Sequence, residues 1–316
     1  MTFWNKKIAS RKTQKWFIVL VLTGVIFCGF EILSFLTGIY QIPHFVAAAF
    51  TFYAFLIVYT TLIFDLKLKV PKSWERSKIY FAHNKQDFLK WFRIIVRAFA
   101  MRFHYFSSWQ HWLHFQNYLI LPAILYWGTV VMIFLNPFSG ALKQISAVCG
   151  AVLLAVVVWY MKTVFISYSS VNQQIKNLMF TAQVIASLLV FSGLLGLVWY
   201  FGLPASNFVL GGVVLAFLLM YQSLFRLQAV NLKNVFLVLL GSLAVGGTAA
   251  IVFRYWTVNF YTGGLMLANV QYFYWSWMRL KISRRFTARL LIEHILVFIF
   301  VVFFILATTN FNARIG

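Results

Sequence analysis

The chain has 316 residues, 62% hydrophobic and 20% aromatic, with a mean hydropathy of +0.84. Only 10% are charged, and 27 Lys and Arg against 5 Asp and Glu leave a formal net charge of +22. Soluble domains are about 45–50% apolar and about 25% charged, so this composition excludes a soluble enzyme, a disordered chain, a coiled coil and a disulfide scaffold, and leaves a polytopic helical membrane protein.

A spanning helix needs about 20 mostly apolar residues. Nine such runs follow one another: 16–39, 45–66, 118–136, 142–163, 178–201, 206–224, 234–253, 257–278 and 288–309. The first follows a basic tail of Lys6, Lys7, Arg11, Lys12 and Lys15. It resembles a signal peptide but is too long and lacks a small-residue cleavage site, so it reads as an uncleaved anchor. Cytoplasmic loops carry excess Lys and Arg. Threading the chain with its N-terminus inside places all but Lys143, Arg254 and Arg314 on the cytoplasmic side. A missed or false helix would scramble every later loop. The expectation is therefore an all-α polytopic bundle of about nine spans, with a cytoplasmic N-terminus and an outside C-terminus. The expected location is a prokaryotic cytoplasmic membrane. Residues 1–316 read as one membrane domain: spans 1 and 2 within 1–66, a cytoplasmic-face insertion over 67–117, and spans 3–9 within 118–316.

The insertion carries the clearest amphipathic pattern. Phe88, Phe92, Ile95, Phe99 and Phe106 recur on one helical face. Lys90, Arg93 and Arg97 fall roughly opposite, and His104 and His111 continue the polar stripe. This pattern predicts a basic helix lying in the headgroup plane between spans 2 and 3. Lys90, Arg93, Arg97 and Arg102 are its candidate ligands for anionic phospholipid headgroups, each adding about 1 kcal/mol near an anionic surface. No recognition module accompanies the basic patch, so nucleic acid is not an expected partner.

His104, His111 and His114 lie within an arc of about 80° on one helix. With His294 and Glu293 at the same cytoplasmic level they make a candidate transition-metal site, since imidazole and carboxylate suit Zn, Cu and Fe. Their spacing matches no metal signature, and the adjacent Arg and Lys would repel a cation. Polar interfacial side chains are the competing reading. No other cofactor is indicated: Cys28 and Cys149 sit in apolar runs, and no CxxC, GxxxxGK[ST], GxGxxG or GxSxG occurs.

The five carboxylates are Glu31, Asp65, Glu75, Asp87 and Glu293, none close to another in sequence. That excludes Asp-rich metal–phosphate chemistry. Glu31 alone falls inside a span, between Phe30 and Ile32. A carboxylate there is costly and reads as a proton or cation coupling site, with Arg254, Gln183 and Asn269 as candidate partners.

Small residues four apart let backbones approach. Ser146/Gly150, Ser192/Gly196, Gly212/Ala216, Ser242/Gly246 and Gly264/Ala268 predict close packing of helices 4 to 8, with Gly246-Gly247 as a hinge candidate. The aromatic run Tyr272–Trp277 reads as an interfacial belt. Three functions fit this inventory. The leading one is transport or handling of an anionic lipid or small molecule. The others are a membrane-embedded metal enzyme acting on a lipid or isoprenoid through the His set, and a non-catalytic subunit bound to partner subunits.

Overall fold

The computed structural model describes residues 3–37, 42–65, 109–135, 140–166, 173–227, 229–255, 259–282 and 287–309. The interfacial helix expected over 84–106, and with it Lys90, Arg93, Arg97, Arg102 and His104, lies outside them. The described residues form nine α-helices. These are α1 (Phe3–Thr37), α2 (Ile42–Asp65), α3 (Trp109–Leu135), α4 (Gly140–Ile166), α5 (Gln173–Tyr200), α6 (Ala205–Arg226), α7 (Leu232–Tyr255), α8 (Phe260–Ile282) and α9 (Ala288–Thr308). Each overlaps one of the nine apolar runs.

Six of them, α1, α4, α5, α6, α7 and α9, are long and apolar enough to cross a bilayer. The apolar stretches of α2 and α3 are shorter, Ile42–Ile57 and Ile120–Leu135. Helix α8 has the length, but its Tyr, Trp, Asn269, Gln271, Arg279 and Lys281 lower its hydropathy.

Local chemistry ends these helices. After α5, Gly202 adopts φ +62, a left-handed conformation that costs glycine little. Leu203 N–H then donates to Val198 O at 2.8 Å and Gly202 N–H to Trp199 O at 3.2 Å, the paired bonds of a Schellman stop. Pro204 follows, where the helix cannot continue. Asn231 Oδ1 accepts from Asn234 N–H at 2.8 Å at the start of α7, and Thr287 caps α9 by accepting from Leu290 N–H.

Contacts fix the helix directions. Phe45 meets Phe134 while Tyr53 meets Tyr126, so α2 and α3 are antiparallel. Tyr274 donates to Leu237 O while Gly263 faces Val252, so α7 and α8 are too. Gly128 faces Leu189 and Gly193 faces Val131, which makes α3 and α5 parallel. One returning helix, α4, separates those two in sequence. The core has two parts sharing α5: one built mainly on α1 to α5, the other on α5 to α9.

The small residues sit where helices touch most closely. A Cβ on Gly264 would meet Ser192 of α5, backbone included. Gly246 faces Val213 of α6, whereas Gly247 faces open space. Gly150 faces Thr129, so the small-residue face of α4 meets α3. The run Tyr272–Trp277 is not one belt. Tyr272 reaches α9, Tyr274 reaches α7, and Trp275 is only 4% exposed. Side chains in a helix turn about 100° per residue, so a contiguous aromatic run addresses all its neighbours. Helix α9 is the opposite case: Ile292, Leu296, Phe300, Phe303 and Phe304 are exposed. So broad an apolar surface is unusual for a protein in water and is compatible with a face turned to lipid.

Candidate functional site

Helix α1 carries the half-buried acid Glu31. Phe30 beside it is fully buried, stacked on Tyr126 at 5.8 Å and edge-on to Phe52 at 6.5 Å. Glu31 Oε1 is buried and has no hydrogen-bond partner among the described residues.

One turn further along, α1 ends. The last carbonyls of a helix lack N–H donors and carry partial negative charge. Here α4, antiparallel to α1, supplies Lys143. Its Nζ donates to Ser34 O at 3.3 Å and to Thr37 Oγ1 at 2.9 Å. The Thr37 hydroxyl in turn donates to Ser34 O at 2.7 Å. Lys143 is within electrostatic reach of Glu31, yet no hydrogen bond joins them. One carboxyl, one ammonium, one hydroxyl and one carbonyl thus share the α1–α4 seam. Lys143 supplies the positive charge of this set, and Glu31 Oε1 is its unpaired buried acceptor.

The partners read from sequence are engaged elsewhere. Gln183 Nε2 donates to Leu219 O at 3.1 Å, and its Oε1 accepts from the Ser223 hydroxyl, tying α5 to α6. Asn269 donates to Phe298 O at 3.3 Å, tying α8 to α9. Arg254 is exposed over the Tyr255 ring. Lys143 was legible as one of three outside cations, at the end of span 4 that faces the end of span 1.

The proposed metal ligands fall on two described helices and one segment outside them. His111 and His114 lie in the first two turns of α3, and His104 is outside the described residues. His294 is 3.3 Å from the Tyr272 hydroxyl through Nδ1. Glu293 is exposed and paired with Arg289 at 3.3 Å. Among the described residues, no three His, Cys, Asp or Glu side chains come together.

No family model matches the chain, and neither curated proteins nor solved structures give a match.

Proposed function

We propose that the protein is an integral membrane protein that transports or handles an anionic lipid or small anion, with Glu31 coupling that movement to a proton or cation. The carrying observation is the buried, unpartnered Oε1 of the half-buried Glu31, near Lys143. The six apolar helices are compatible with membrane integration, alternating helix directions agree with nine spans, and the N-in sense rests on the distribution of Lys and Arg. Lys90, Arg93, Arg97 and Arg102 supply the cytoplasmic attraction for an anion in this reading.

The test uses proteoliposomes carrying an internal pH dye, challenged with phosphate and with small carboxylates under an imposed potential. Wild type is expected to show an anion-dependent proton flux that Glu31→Gln abolishes while its thermal unfolding stays close to wild type. Gln keeps the shape and hydrogen bonding of the neutral acid but cannot titrate. An unchanged flux in Glu31→Gln would overturn the coupling role. The second reading, a subunit of a larger complex, draws on the apolar face of α9, of which only 6% of the spanning window is buried.

A further inference from the structure

Helix α8 meets α5 on one side and α9 on another toward its cytoplasmic end, as threaded above, through contacts that the Glu31 reading does not use. The Arg279 guanidinium lies over the Phe180 ring, 5.5 Å from Cζ to the centroid. Phe180 packs on Tyr272 at 5.7 Å. The Tyr272 hydroxyl is 3.3 Å from His294 Nδ1. Arg279 and Tyr272 are two turns apart, about 10 Å along the axis. In reaching Phe180, Arg279 leans back along α8 toward Tyr272, the direction helical side chains favour. Interfacial cations more often snorkel outward to water.

This cluster has donors in excess. Among the described residues no carboxylate pairs with Arg279, and the nearby acid Glu293 is taken by Arg289. A guanidinium offers five N–H donors, and a neutral imidazole offers one, on the ring nitrogen its tautomer protonates. Beside it, α9 presents Ile292, Leu296 and Phe300 as exposed apolar side chains. Lys281, over the Trp277 ring, and Arg289 stand at the same cytoplasmic end.

We propose that this Arg279–Phe180–Tyr272–His294 cluster binds one anionic phospholipid, its phosphate on Arg279 and His294 and its acyl chains along the exposed flank of α9. Charge complementarity selects the occupant. A zwitterionic lipid offers the same phosphate, but its cationic headgroup meets Arg279, Lys281 and Arg289. Inorganic phosphate lacks the chains that the apolar flank accommodates. The site is independent of whether Glu31 couples transport, because it shares no residue with that seam.

The test is native mass spectrometry of the full-length detergent-purified protein titrated with phosphatidylglycerol or phosphatidylcholine. Thermal unfolding in the presence of inorganic phosphate runs in parallel. The expected result is phosphatidylglycerol retained at least about tenfold more tightly than phosphatidylcholine, the scale of one charge-assisted contact. Arg279→Gln is expected to remove that preference, and Arg254→Gln, at the other end of the bundle, to leave it unchanged. Tyr272→Phe keeps the ring packing and is expected to lower retention several-fold by releasing His294. Arg279→Lys keeps the charge but loses the planar fork, and is expected to lower retention partly. Equal retention of the two lipids overturns the proposal, as does wild-type retention in Arg279→Gln. If Arg279→Gln fails to fold, wild-type retention in both Tyr272→Phe and Arg279→Lys overturns it. Stabilisation by inorganic phosphate alone, dependent on Arg279, also overturns it by identifying a free-anion site.

Discussion

Alanine at Gly264 is expected to force α5 and α8 apart, and alanine at Gly247 to do nothing of the kind. A Cβ at Gly264 would lie 2.6 Å from Ser192 Cα, where ordinary Cβ contacts begin at 3.4 Å. The obstacle is backbone, so no rotamer change relieves it, and the helices must separate by about 0.8 Å. Overpacking of this kind costs about 1–3 kcal/mol. The loss is direct in a bilayer, where van der Waals packing, rather than the hydrophobic effect, drives helix association. Gly247 lies in a helix of similar length but meets nothing within 4 Å. Alanine there gains up to about 1 kcal/mol of helix propensity. The same substitution thus carries opposite signs at two positions, separated by about 2–4 kcal/mol. Thermal unfolding of the detergent-solubilised variants reads the difference directly. Gly264→Ala is expected to unfold several degrees below wild type, and Gly247→Ala at or above it. Equal midpoints for the two variants would refute the close approach of α5 to α8.

Four further outcomes follow from the same geometry. Lys143→Met removes the cation from the C-terminal end of α1 and is expected to cost about 1 kcal/mol in thermal unfolding; an unchanged midpoint would separate Lys143 from the α1 end. Gln183→Leu removes the link to Leu219 O and the Ser223 hydroxyl, which keeps its own bond to Leu219 O, and is expected to cost about 0.5–1.5 kcal/mol, whereas stability equal to wild type would discount that link between α5 and α6. For topology, a Cys at Ala205 should react with an impermeant reagent from outside and one at Ser73 only after permeabilisation; the reverse pattern at either site sinks the nine-span threading. A peptide of residues 84–106 should bind anionic vesicles more weakly after Arg93→Glu and Arg97→Glu, and at high salt, while equal binding to neutral vesicles rejects the electrostatic part of that helix.

The helices were largely legible because apolar length is a one-dimensional signal. A run of Val, Leu, Ile and Phe long enough to cross a bilayer announces itself without knowledge of its neighbours. The candidate site was half legible. Glu31 stood out as a carboxylate in an apolar run, but its surroundings depended on which helix packs on α1. Neither Gln183 nor Asn269 could be assigned from sequence, since each bonds a backbone carbonyl on another helix. A carbonyl acceptor leaves no mark in the residue alphabet. The aromatic run of α8 misled for a related reason. Tyr and Trp suit both a membrane interface and a helix contact, and the choice depends on depth and rotation.

The sequence by itself determined that this is an all-helical chain, which of its segments are apolar, and where its rare acids and plentiful bases fall along it. Those properties follow from transfer free energies and charge, which belong to single residues. Only the tertiary structure decided that α4 returns to α1 and brings Lys143 to the end that carries Glu31. It likewise decided that Ser192 meets Gly264, that Phe180 lies against both Arg279 and Tyr272, and that Tyr272 reaches His294. Those facts depend on helix rotation and helix neighbours, which are set by many small side-chain contacts at once. No single position encodes them.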